Sequence, residues 1–204
     1  MTEATQTTAR LCLRPIRLDD EAGVAASCAI LRDPQTWTHL PAARPTSEKA
    51  IIDHLSAHAD SWQNFGLGWW FVALPAKQRA VRAGSAPEGE GVIGVAGCAR
   101  IPADIPAWNL GFRFSPLAWG RGYAAEAARA GIEAAAQVDS RMPVVARALE
   151  GNTASWRLLE RLGLSMVWQG VLGSQDPVTQ GLSRRIYADR PLTGDLVNQL
   201  VSLG

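Results

Sequence analysis

The stretch LGFRFSPLAWGRGYAAEAAR, residues 110–129, decides how this chain is read. It begins as an apolar, β-prone run, turns at Ser115-Pro116, and reaches Gly120-Arg121-Gly122 just before an alanine-rich helix. That order aims several backbone N–H groups and the positive end of a helix at one point, where an anion can settle. Gly120 and Gly122 let the main chain approach a ligand with no side chain in between. Along the helix, Ala124, Ala127, Ala128, Gly131, Ala135 and Val138 share one face, and residues that small bring a helix axis close to a sheet. Arg129 and Glu133 stand at i, i+4 on the other face, a favourable spacing for an ion pair. A glycine pair alone also suits a plain strand-to-helix turn, so its surroundings must decide.

Upstream, residues 10–17 (RLCLRPIR) alternate as a first strand, with Leu11, Leu13 and Ile16 as inward candidates. Asp19 and Asp20 supply an N-cap and a negative first turn for a helix to about residue 31, which Asp33-Pro34 ends. Pro41 and Pro45 keep the next stretch irregular before Thr46 or Ser47 caps a second helix, whose buried stripe is Ile51, Ile52, Leu55 and Trp62. Gly66-Leu67-Gly68 leads into a short strand at 69–74. Residues 77–91, charged and rich in Gly and Ala, read as a flexible connector, followed by strands at 91–101 and 109–115. Downstream, a helix at 123–138, a strand at 143–150 and a helix at 153–162 precede terminal strands at 164–172 and 182–188. The pattern predicts one domain over 1–204. Its class is α/β (α+β), with a mixed, mostly antiparallel central sheet and helices on both faces. It lacks the strict βαβ alternation of a dinucleotide-binding fold, which would otherwise be the first thought for paired glycines.

Composition narrows the function without choosing it. The formal net charge of +1 gives no case for nucleic acid or a membrane surface as a partner. Cys12, Cys28 and Cys98 are odd in number and unrelated in spacing, against a disulfide framework and against zinc. Their places in strands and a helix favour buried apolar roles over covalent catalysis. His54 and His58 sit at i, i+4, but no third ligand is evident, and the expectation is a surface pair with no metal. Residues 1–9 lack the apolar run of a signal peptide, and no segment approaches membrane-spanning length, so the expected location is cytoplasmic.

WGRGYAAEA after FRFSP resembles the acetyl-CoA-binding motif of the GNAT superfamily of N-acetyltransferases. It looks most like the RimJ/RimL-type branch, where WGxGYAxEA is typical. The resemblance extends to RLCLRPIRLDD, GLGWWFVAL, GNTASWRLLERLGL and IYADRPL. Leu117 stands where the superfamily commonly has Arg or Gln. The resemblance implies a GNAT-like sheet with a splayed strand pair for acyl-CoA, at 109–115 and 143–150. It implies that main-chain N–H groups of Gly120, Arg121, Gly122, Tyr123 and Ala124 hold the CoA diphosphate, with Trp119 also among the cofactor-binding residues. The main chain of Phe112, Arg113 and Phe114 would pair with the pantetheine arm.

Asn152 precedes a helix as an ordinary N-cap, and Gly163 follows it as an ordinary C′ residue. The resemblance adds that Asn152 contacts pantetheine and that Ser155 lies near the sulfur. With no Tyr in this helix, Ser155 is the candidate to protonate the departing thiolate. No Glu occurs at 109–115, where some members keep a base. Asp33, Glu48 and Asp104 are candidate acids, each equally readable as a cap or a solvated charge. Deprotonating an α-amine (pKa about 8) at pH 7 costs only about 1.4 kcal/mol, against over 4 for a lysine-like amine. That favours a protein N-terminal amine, or another low-pKa amine, as acceptor.

Among eight Trp, most should be core, while Trp37 and Trp108 fall in predicted loops and could wall an acceptor site together with His39. The reaction expected is acetyl transfer from acetyl-CoA to a primary amine by direct attack in a ternary complex. The alternatives are a small-molecule amine (antibiotic, polyamine or amino acid), a non-catalytic CoA-binding sensor, or a nucleotide-binding protein. A homodimer through the terminal strands or the first two helices is compatible with the pattern.

Overall fold

The computed structural model describes residues 5–75, 91–101, 105–171 and 177–203. Asp104 and all but the last residue of the expected connector lie outside the described residues. The elements run β1 (Gln6–Thr7), β2 (Cys12–Pro15), α1 (Glu21–Arg32), α2 (Glu48–Phe65), β3 (Trp69–Ala73), β4 (Val92–Arg100) and β5 (Trp108–Phe114). They continue with α3 (Tyr123–Asp139), β6 (Val144–Leu149), α4 (Thr153–Arg161), β7 (Ser165–Val171), β8 (Ser183–Ala188) and α5 (Gly194–Ser202). Short 3-10 turns at Pro34–Trp37 and Pro41–Ala43 fill the proline-rich interval between the first two helices.

Local signals explain most boundaries. Asp20 accepts from Gly23 N to start α1, and Ser47 accepts from Ala50 N to start α2. Asp33 accepts from Gln35 N, so it is a cap and not a cleft acid. Glu48 pairs with Arg32 at the surface, 3.6 Å apart.

The strands form one sheet in the order β1-β2-β3-β4-β5-β6-β8-β7, antiparallel except between β5 and β6. Both faces are covered. Trp70, Val72, Ala96, Cys98 and Leu110 pack against the alanines of α3 and against Leu159 of α4. Trp69, Phe71, Val95 and Ala99 pack against α1 and α2 on the opposite face. Leu11 and Leu13 belong to the first layer and Ile16 to the second, as the two-residue period of a strand requires.

Helix α3 does lie close to the sheet. A Cβ at Gly131 would come within 3.3 Å of Gly97 Cα in β4, so a glycine at 131 permits the close approach. Ala127, Ala128, Ala130 and Ala135 line the same buried face. Val138, expected there, is 45% exposed, because the helix has run past the sheet by its last turn.

Two differences concern the whole architecture. Helix α5 was not expected from the pattern. Thr193 caps it, and Leu200 buries against Ile101, Ile105, Ala107, Val145 and Ile186. Second, β5 and β6 register only at Trp108↔Val144 and Asn109↔Val145, and beyond that point they pair no further. The expected splay is therefore present.

Candidate active site

The glycine turn is built from both of its flanks. Trp119 Nε1 donates to Phe114 O at 2.9 Å and pins the exit of β5. Gly120 and Gly122 then adopt φ of 71° and 77°, the left-handed region that side chains disfavour. Gly122 is the N-cap of α3 and supplies no side-chain cap. The first helical N–H to find a main-chain acceptor is that of Glu126, bonded to Gly122 O at 3.1 Å. Among the described residues, the N–H groups of Gly120 through Ala125 have no acceptor. They are the orphan donors of a helix start, concentrated by the turn.

From the N-terminal side, Arg10 donates from Nη1 to Arg121 O at 2.8 Å and from Nε to Glu126 Oε2 at 2.7 Å. Its guanidinium also lies 5.0 Å from the Tyr123 ring centroid. Burial works against the Glu126 charge. Bonds from Thr8 Oγ1, Arg10 N and the Arg10 side chain outweigh it and hold that carboxyl below the usual range. A carboxylate beside an anion-binding helix start would repel the anion, and Arg10 offsets it.

Two clefts meet at the splay. One, of about 740 Å³, is walled by Phe114, Trp119, Gly120, Gly122, Tyr123 and Ala124, with Arg129 and Arg161 at its margins. Arg129 makes no ion pair with Glu133 among the described residues and serves this cleft instead. Arg121 does not line the cleft, and its carbonyl is taken by Arg10. The other cleft, of about 550 Å³, lies under α1 and α2 and is walled by Trp37, Leu40, His54, Asn109, Arg147 and Arg184. His39, Phe112, Arg113, Asn152 and Ser155 line both. Asn152 Oδ1 accepts from Ser155 N at 3.3 Å, and Ser155 Oγ forms no hydrogen bond among the described residues.

The second cleft is cationic and aromatic. Arg113 donates from Nη1 to Thr36 O and lies 3.6 Å from the Trp37 ring centroid. Trp37 is held in turn by its Nε1 bond to Leu31 O at 2.7 Å. Burial lowers the pKa of Arg113 to about 10, leaving it charged at neutral pH. His39 and His54 are each pushed below the ordinary imidazole range by the surrounding protein and then by the Arg113 charge, so both are neutral at pH 7.

His58 stacks on Trp69 at 4.1 Å and meets His54 edge-on at 4.9 Å. Both ring nitrogens of His58 are buried without a partner, and burial, with His54 adding, lowers its pKa to about 3. His54 is therefore exposed on the cleft wall, as expected of a surface residue, whereas His58 is buried behind it and is not at the surface. Among the described residues, no group of three or more His, Cys, Asp or Glu could hold a metal ion.

Of the residues expected at an acceptor site, Trp37 and His39 line the second cleft. Trp108 does not: it opens β5, is 1% exposed, and packs in the α3 layer on the other face of the sheet. The sequence reading put Trp108 in a loop, but strand pairing with Arg100 and Val144 captures it. Sequence reasoning missed His54, Arg147 and Arg184. Alternation within β6 and β8 puts Arg147 and Arg184 on one face, but only strand pairing brings them together at the cleft. Cys98 is buried in β4 and its thiol is pushed up by burial, so it is no nucleophile.

A mixed sheet parted at one strand pair, with a donor-rich helix start beside the gap, defines the acyl-CoA acetyltransferase architecture. The family model for the acetyltransferase (GNAT) domain matches residues 10–165, and the chain belongs to that family. An acetyltransferase from Agrobacterium tumefaciens is similar in structure at 22% identity and a TM-score of 0.68, over 92% of this chain and 95% of that one. The ribosomal-protein-S5-alanine acetyltransferase of Vibrio fischeri is similar at 13% identity and a TM-score of 0.68, over 95% and 98%. The ribosomal L7/L12 alpha-N-protein acetyltransferase RimL, solved with coenzyme A, is similar at 15% and 0.66, over 90% and 96%. No helix among the described residues is long and apolar enough to cross a membrane.

Proposed function

We propose that this acetyltransferase moves acetyl from acetyl-CoA to a primary amine by direct attack in a ternary complex, with a protein N-terminal amine as a candidate acceptor. The observation that carries the reading is the meeting of two clefts at the β5–β6 splay, one rich in orphan N–H donors and the other walled by a neutral imidazole. The CoA diphosphate sits on the N–H groups of Gly120 through Ala124, with Arg129 and Arg161 alongside. Each charge-assisted hydrogen bond contributes about 1.5–3 kcal/mol. The free edge of Phe112, Arg113 and Phe114 pairs with pantetheine and directs the thioester into the splay, next to Asn152 and Ser155.

The acceptor enters from the other cleft, between Trp37 and His39. His54, neutral at pH 7, takes a proton from the ammonium form, directly or through water. The amine nitrogen forms a bond to the carbonyl carbon, the C–S bond breaks, and Ser155 Oγ–H protonates the thiolate, while the second proton of the attacking nitrogen passes through water to Ser155 Oγ and restores the hydroxyl. The names of the two ribosomal-protein acetyltransferases above support an α-amine acceptor, as does the small cost of deprotonating one.

The test is thiol release from acetyl-CoA against a panel of N-terminal peptides and small amines, with acetyl-CoA binding measured in parallel. Binding with release on at least one amine is expected. Binding with no release on any amine would leave a CoA sensor, and absence of binding would remove the reading altogether.

A further inference from the structure

The glycine turn is held from a segment that lies 111 residues before it in the chain. Residues 8–11 form the turn between β1 and β2, where Thr8 N donates to Leu11 O at 2.9 Å and Leu11 N to Thr8 Oγ1 at 3.1 Å. Leu11 is 0% exposed in the α3 layer, which seats this turn beside the start of the helix. Three of the turn's donors converge on Glu126. Thr8 Oγ1 and Arg10 N reach Oε1 at 2.5 and 2.8 Å, and Arg10 Nε reaches Oε2 at 2.7 Å. From the other arm of the same guanidinium, Nη1 donates to Arg121 O at 2.8 Å, between the two glycines.

The direction of that carbonyl decides the direction of its neighbour. A trans peptide is planar and its C=O and N–H point opposite ways, so holding Arg121 O outward turns the Gly122 N–H toward the cleft. Gly122 lines that cleft, whereas Arg121 and Arg10 do not. The guanidinium is a rigid fork, so it also sets the spacing between the Arg121 carbonyl and the first turn of α3. Without that tie, glycines at φ 71° and 77° leave the peptide between them free to rotate, because glycine populates many backbone states. Ordering such a loop at the moment of binding costs affinity, and ordering it in advance does not.

We infer that Arg10 is a positioning residue for the cofactor: it turns the Arg121 carbonyl away from the cleft, ties it to Glu126, and so keeps the orphan donors aimed at the CoA diphosphate before CoA arrives. This rests on the CoA-binding reading above and adds to it a residue outside the cleft. The Arg10 side chain is 44% exposed, so its ion pair with Glu126 adds little to global stability and its loss is felt at the turn.

The test uses Arg10→Gln and Arg10→Lys in the full chain. Arg10→Gln keeps the backbone bond to Glu126 and removes only the fork, so the fold persists. Acetyl-CoA affinity, read by titration, should fall at least tenfold. With an amine that the wild type acetylates, KM for acetyl-CoA should rise alike, while kcat and the KM of the amine stay within twofold. In the ligand-free variant, hydrogen exchange of the Glu126 amide, whose bond to Gly122 O closes the turn, should quicken at least tenfold. Amides of β4 and β6 should exchange as in wild type. Arg10→Lys keeps the charge and loses the fork, and should still bind acetyl-CoA at least threefold more weakly.

Affinity within twofold of wild type in Arg10→Gln would overturn the inference. So would full affinity in Arg10→Lys, which leaves charge alone as the cause, and so would faster exchange spread evenly over the sheet. Should wild type bind no CoA, the transfer reading falls and exchange in the ligand-free protein decides. Quickening confined to the Glu126 amide then upholds the tie, and its absence overturns it. Should Arg10→Gln fail to fold, Arg10→Lys carries both measurements.

Discussion

Gly122 is the residue on which the proposed CoA grip turns. At φ 77° any side chain adds roughly 1–2 kcal/mol of strain, and a Cβ there would stand 3.3 Å from Arg10 Nη2. Gly122→Val should keep a cooperative fold, with a slightly lower melting temperature, and lose the thermal shift given by acetyl-CoA. A retained shift would count against the placement of the diphosphate. His54 tests the chemistry. A base whose pKa is lowered stays neutral below pH 6.5, so the acid limb of wild-type kcat/KM should fall only beneath that value. His54→Gln should lower kcat about tenfold or more at pH 7 and abolish that limb. An unchanged limb in the variant would remove His54 from the reaction.

His58, its neighbour, gives a stability prediction with a definite sign. Its pKa of about 3 in the folded state is below the unfolded value of 6.5, so protons bind preferentially to the unfolded chain between those limits. Stability should therefore fall on acidification from pH 6.5 toward 3, by up to about 1.4 kcal/mol per pH unit. His58→Phe keeps the stack on Trp69 and removes two unpartnered nitrogens. It should match or exceed wild type at pH 7 and flatten the acid slope, as urea unfolding at pH 7 and 4.5 would read out.

Among the elements, α3 does two jobs that depend on each other. Its small face lets it lie on β4, and that contact is what holds its first turn still against the glycine loop. Gly131→Leu should cost about 1–3 kcal/mol or more by forcing the helix off Gly97, and should weaken acetyl-CoA binding although the residue lies far along the helix from Gly122. Denaturant unfolding and CoA titration measure the two effects, and unaltered CoA affinity in a destabilised variant would uncouple them. The small face of α3 was legible from its 3.6-residue spacing, and so were the caps Asp20 and Ser47. Trp108 was misread as a loop residue because its burial depends on partners at Arg100 and Val144, which no local signal reports.

Over the whole molecule, the sheet carries its helices in two layers, and α5 closes one end. Leu200 is 1% exposed against residues from the end of β4, from β6 and from β8. Removing residues 194–204 would uncover that cluster and cost at least the roughly 1.5–3 kcal/mol of one buried Leu. The shortened protein should melt lower and self-associate, yet still bind acetyl-CoA when folded, since α5 contributes nothing to either cleft. Light scattering and a CoA titration at low temperature check both halves of that expectation.

Helices α1 to α4, strands β2 to β8 and the glycine turn were readable along the chain, and the family resemblance above all from residues 110–129 and 151–164, because capping, periodicity and φ preferences act over a few neighbouring residues. The character of the second cleft was not. Arg113, Arg147, Arg184 and His54 are separated by tens of residues and look like ordinary surface charges one at a time. Strand pairing across the splay and the packing of α2 bring them to one wall, and the sign of an electrostatic field depends on that assembled distance and burial.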